Sequence, residues 1–129
     1  MTRLLLDTHA FLWWLGGDRK LSVAARDAIG EDSGPVFVSA ASIWEISTKH
    51  RSGKLPGAGA IAADPSGAIE SQGFVGMPIT IQHAQAAGAL PGPHRDPFDR
   101  MLIAQATLDD LVLVSNEHAF DVYGVQRLW

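Results

Sequence analysis

Three short apolar runs constrain the fold more than any other feature of the chain. Leu4-Leu5-Leu6 ends at Asp7, Val36-Phe37-Val38 ends at Ser39, and Leu111-Val112-Leu113-Val114 ends at Ser115. None alternates apolar with polar residues, and continuous runs of this length suit strands buried on both faces of a parallel sheet. Helical patterns separate them: Thr8 to Leu15, stopped by Gly16-Gly17; Leu21 to about Ile29; Ala40 to about Arg51, ended by Gly53; Gln82 to Ala89; and Pro97 to about Asp110. Strand alternating with helix implies an α/β fold, a parallel sheet with helices on both sides. Weaker strand signals stand at Val75 to Ile79 and Val125 to Trp129, and Ala119-Phe120 reads as a helical turn. Leu55 to Gly73 is the least regular stretch, with a short helix expected from Pro65, capped by Asp64.

A chain of 129 residues is expected to form one domain, 1–129, long enough to bury a core. No GxxxxGK[ST] or GxGxxG is present, so no P-loop or dinucleotide site is expected. The absence of Cys excludes disulfides, thiolate zinc sites and Cys nucleophiles, and fits a cytoplasmic protein. There is no run of about 18 apolar residues to span a membrane, and Asp7 and His9 interrupt the N-terminal apolar stretch, which argues against a signal peptide. With a net charge of −4, any contact with nucleic acid has to come from a local basic patch.

The chemistry-bearing stretch is HRDPFDRMLIAQA, from His94 to Ala106. Asp before Pro before an apolar run makes Asp96 an N-cap, Pro97 the first helical residue and Asp99 the third. Residues three apart share a helix face, so both carboxylates meet the free backbone amides of one helix end. Asp7 stands at the carboxyl end of the first strand, where open α/β sheets bind ligands. Glu45 lies one turn into the third helix, flanked by Ile43, Trp44 and Ile46, and Glu117 closely follows the Leu111–Ser115 strand. Parallel strands put all these ends on one edge, so five acids would surround one crevice. Packed carboxylates repel and raise each other's pKa values, and a divalent cation removes the conflict. An all-oxygen set without Cys or paired His points to Mg²⁺ or Mn²⁺, which activate water and stabilise a leaving oxygen in phosphodiester cleavage.

Plainer readings stand beside this one. Asp7 and Asp96 would cap helices, Asp99 would answer a helix dipole, and Glu45 would pair with Lys49 on the surface. The basic cluster of Lys49, His50, Arg51 and Lys54 would hold phosphates or mark a solvated helix end. His83 and His94 are isolated and read as ordinary surface or loop residues. Trp13, Trp14 and Trp44 read as core or interface residues.

LLLDTHAFLWWL, SAASIWEISTKHRSGKL, HRDPFDRMLIAQA and LVLVSNEHAF together resemble the PIN-domain family, and more specifically the VapC-type toxins of toxin–antitoxin pairs. The four motifs run nearly end to end in the family's order. The resemblance implies a three-layer α/β/α sandwich with a central parallel sheet. It implies a metal-dependent endoribonuclease that cuts single-stranded RNA, homodimeric and silenced by a cognate antitoxin in a larger toxin–antitoxin assembly. Asp7, Glu45 and Asp99 match the family's first three acids and would hold Mg²⁺ or Mn²⁺; Asp96 belongs to the DPFD form of the motif and would assist. The fourth acid is usually Asp, and here it is Glu117. Thr8 and Ser115 match small polar positions that orient the acids, and Lys49, Arg51, Lys54, Arg95 and Arg100 are candidates for the RNA backbone. The alternatives are a receiver-like switch phosphorylated on Asp7, which lacks its paired acids and Lys, and a non-catalytic binding module whose acids only cap helices.

Overall fold

The computed structural model describes residues 2–31 and 34–129. Five strands form one sheet: β1 at Leu4–Leu6, β2 at Val36–Ser39, β3 at Val75–Met77, β4 at Val112–Val114 and β5 at Arg127–Leu128. All neighbours are parallel, in the order β3-β2-β1-β4-β5. β1 is central, with Leu4, Leu5 and Leu6 in register with Val36, Phe37 and Val38 on one side and with Val112, Leu113 and Val114 on the other.

Successive side chains of a strand point to opposite faces, and β1 shows why its run has no polar residue. Leu4 and Leu6 join one core with Phe11 of α1 (Thr8–Gly16), Ala25 and Ile29 of α2 (Val23–Gly30) and Ile46 of α3 (Ala40–Arg51). After α3 come the short helices α4 (Gly59–Ala63) and α5 (Pro65–Glu70), and Ile69 of α5 joins the same core. Leu5 joins the opposite core, with Leu102, Ile103 and Ala106 of α7 (Pro97–Leu108), over which α6 (Ile81–Ala89) packs. These are the three expected layers.

The helix starts are set by capping side chains. Asp7, Ser22, Ser39, Thr80 and Asp96 each accept a hydrogen bond from a first-turn amide. Gly17 ends α1 with φ +60, a left-handed conformation that suits glycine. The chain moves outward from β1 through β2 to β3, then crosses back to β4 beside β1. That reversal leaves a crevice beyond the carboxyl ends of β1 and β4.

The structure departs from the sequence reading in several places. β3, β4 and β5 are shorter than expected, and the stretch read as connection holds a 3₁₀ turn at Pro56–Ala58 as well as α4. These short elements are held by packing of Ala58 and Ile61 against the first core, which no local periodicity records. His83 is buried, not a surface residue. Its Nδ1 accepts from the Thr80 amide at 3.0 Å, so Nε2 carries the proton and donates to Asp109 at 2.9 Å. Trp13 and Trp14 pack on the first core, but Trp44 is 61% exposed, edge-on to Phe98. Among the described residues no helix is long and apolar enough to cross a membrane.

Candidate functional site

Asp7, Glu45, Asp96, Asp99 and Glu117 line a single crevice of about 120 Å³ at the carboxyl edge of the sheet. Each arrives by a different local route. Asp7 leaves β1 with its amide bonded to the Val114 carbonyl and its Oδ1 accepting from the Ala10 amide at 2.8 Å, so it caps α1 while its carboxyl edges the crevice. Burial pushes the Asp7 carboxyl above the usual range, against hydrogen bonding from Ser115 and the Ala10 amide. Asp7 therefore both caps α1 and borders the crevice.

Glu45 is 4% exposed. A carboxylate that deep needs partners, and it has two: the Thr8 hydroxyl on Oε1 at 2.6 Å, and the Lys49 ammonium on Oε2. The Thr8 and Ser42 hydroxyls lie 3.0 Å apart, which ties the start of α1 to α3. The Glu45–Lys49 pair anticipated as a surface contact exists, but its acid is in the interior.

Asp96 caps α7, its Oδ1 accepting from the amides of Phe98 at 2.9 Å and Asp99 at 3.1 Å. Asp99 lies one turn along the same face. Burial, and then repulsion from Asp96 and Glu45, raise its carboxyl to about 6, against the hydrogen bond from His94. Glu117 is exposed at the rim; its amide donates to the Ser115 hydroxyl at 3.0 Å, and its Oε1 accepts from the Ala119 amide at 3.3 Å.

Two further corrections concern α7. His94 is no ordinary loop residue: its Nε2 is 2.8 Å from Asp99 Oδ2. Arg100 does not face outward for RNA; its guanidinium donates to the carbonyls of Ala87, Leu90 and His94 and so ties the loop before α7 to α6. Arg51, Lys54 and Arg95 are exposed, but none lines the acid crevice, whereas Lys49 does. His9 and Asn116 also line it, and neither was singled out from sequence. Each lies within two residues of a crevice acid, His9 after Asp7 and Asn116 before Glu117, and that adjacency is the available signal.

The donors are carboxylate and hydroxyl oxygens, the chemistry that Mg²⁺ or Mn²⁺ prefers. Among the described residues no three acids are drawn close enough to hold an ion as they stand. Lys49 and His94 instead satisfy Glu45 and Asp99. The residues fit a hard divalent cation in kind, with side-chain movement needed to close around it.

Residues 4–125 match the PIN domain family. The chain is 34% identical over 107 residues to Ribonuclease VapC22 of Mycobacterium tuberculosis, a match covering 82% of this chain and 80% of that protein. Its fold is similar to that in the crystal structure of VapBC2 from Rickettsia felis bound to a promoter DNA fragment, with TM-score 0.71, 12% identity, and coverage of 99% of this chain and 100% of that one. It is also similar to VapC20 of Mycobacterium tuberculosis, described as a Sarcin-Ricin loop cleaving toxin, with TM-score 0.67, 14% identity and 95% of each chain covered.

Proposed function

The chain belongs to the PIN-domain family, and we propose that it is a Mg²⁺-dependent endoribonuclease, the toxin of a toxin–antitoxin pair. The observation that carries this reading is the meeting of five acids, from four separate segments, in one crevice at the sheet's carboxyl edge. The similarity to a protein named as a ribonuclease supports the reaction, and the VapBC complexes among its structural relatives support a cognate antitoxin as partner.

Asp7, Glu45 and Asp99 would hold the ion. Bound there, Mg²⁺ supplies an activated water and positive charge for the developing oxyanion. The protein's own groups do the rest. Thr8 fixes the Glu45 carboxylate and His94 fixes that of Asp99. A crevice carboxylate takes the proton of the attacking water. Lys49, Arg51, Lys54 and Arg95 hold the RNA backbone, while Arg100 serves the fold. The protein works as a homodimer in the cytoplasm, with residues 1–129 folding as one domain. The test is cleavage of single-stranded RNA by the purified chain, with and without Mg²⁺.

A further inference from the structure

Lys49 is the one lysine or arginine that lines the acid crevice among the described residues. Its position follows from helix geometry: Glu45 and Lys49 are four residues apart on α3, so they share a face, and Glu45 is already turned inward by Thr8. The ammonium bonds Glu45 Oε2 while the Thr8 hydroxyl occupies Oε1, so both carboxylate oxygens are engaged. Lys49 also feels the charges of Asp96 and Asp99 from α7. A single cation thus sits among the acids that would otherwise repel across the crevice.

The Lys49 side chain is 34% exposed, so its flexible stem has open space to swing into. Glu45, at 6% side-chain exposure, has none. An ammonium and a divalent ion cannot share Glu45 without strong repulsion. Of the two, only the ammonium can leave.

We propose that Lys49 occupies the metal's place in the cation-free protein, and that an arriving divalent ion displaces its ammonium to the crevice mouth, where it binds the RNA phosphate. This rests on the function proposed above. It assigns to one side chain two opposed effects: Lys49 weakens metal binding and strengthens catalysis. A pair that stayed closed on Glu45 would weaken metal binding without aiding catalysis.

The experiment is Mn²⁺ binding to the full chain by calorimetry and electron paramagnetic resonance, for the parent, Lys49→Met, Lys49→Gln and Lys49→Arg, with circular dichroism as the check on folding. The neutral variants should bind Mn²⁺ on the order of tenfold more tightly, the scale on which one neighbouring charge acts. Lys49→Arg should stay close to the parent. At saturating Mn²⁺ the neutral variants should nevertheless cleave RNA at least tenfold more slowly, as expected for loss of a phosphate contact. Neutral variants that fold and bind Mn²⁺ no more tightly than the parent would overturn the proposal. So would undiminished cleavage at saturation. A parent chain that binds no Mn²⁺ would instead remove the metal-dependent function itself, and this inference with it.

Discussion

The imidazole of His94 and the carboxylate of Asp99 face each other at 2.8 Å, and the imidazole is held there by groups that do not involve Asp99. The His94 amide donates to the Tyr123 hydroxyl at 3.1 Å, its carbonyl accepts from the Arg100 guanidinium at 3.0 Å, and its ring lies against Phe120. The approach of Tyr123 requires Gly92: with φ +99, a Cβ there would come within 2.8 Å of the hydroxyl. The loop before α7 is therefore built to present His94 to one oxygen of Asp99, leaving the other for the crevice.

Groups that orient a metal-binding carboxylate are worth roughly 10–100-fold in metal affinity. His94→Ala should weaken Mn²⁺ binding by about that factor. His94→Gln, whose amide can still donate toward Asp99, should recover most of it. Calorimetric Mn²⁺ titration decides, and an Ala variant with parental affinity would contradict the assignment.

Asp99 itself carries a pH signature. Its carboxyl is raised from 3.8 to about 6, so the folded chain binds that proton more tightly than the unfolded chain. For an acid shifted in this direction, the contribution to stability is full below the unfolded value of 3.8 and is lost as pH rises through about 6. Asn carries no such penalty. At pH 7 without metal, Asp99→Asn should be more stable than the parent by about 1 kcal/mol, after discounting for the solvent that reaches this carboxyl. The gap should close as the medium is acidified through that window, and cleavage by the variant should be abolished. Thermal melts across pH measure it; a variant less stable than the parent at neutral pH would contradict the sign.

Glu117 departs from the family pattern by one methylene, and its exposed carboxylate is spent on the Ala119 amide at the rim. It should act through a water rather than bind the ion directly. Glu117→Ala should therefore lose roughly 10–100-fold in cleavage rate and regain part of it at higher Mg²⁺, as outer-shell partners do. Asp7→Ala should not be rescued. A Mg²⁺ titration of both rates that finds them equally dead throughout would make Glu117 a direct ligand or base.

How far sequence reached depended on the range of the interaction. β1, β2 and α7 were legible because their signals are local: an unbroken apolar run, or Asp-Pro opening a helix. The convergence of Asp7, Glu45 and Asp99 was legible because parallel topology brings strand ends together. What was missed is tertiary. Nothing near His94 announces that Tyr123 and Phe120 will turn it onto Asp99. Nothing near Arg100 says that three backbone carbonyls will occupy it, nor near His83 that α7's end supplies Asp109. Such residues look free in one dimension because their partners lie on other elements.

Acids from the end of β1, from α3, from α7 and from the turn after β4 are proposed to form one metal-dependent RNA-cleaving centre. The test is to incubate a mixed single-stranded RNA pool with the purified chain and map the new ends, with Mg²⁺ or EDTA present and Asp7→Asn in parallel. The expected result is internal cleavage at discrete positions that requires Mg²⁺ and vanishes in Asp7→Asn while that variant remains folded. Equal cleavage in EDTA, or by the folded Asp7→Asn chain, or no cleavage at any Mg²⁺ concentration, would contradict the claim.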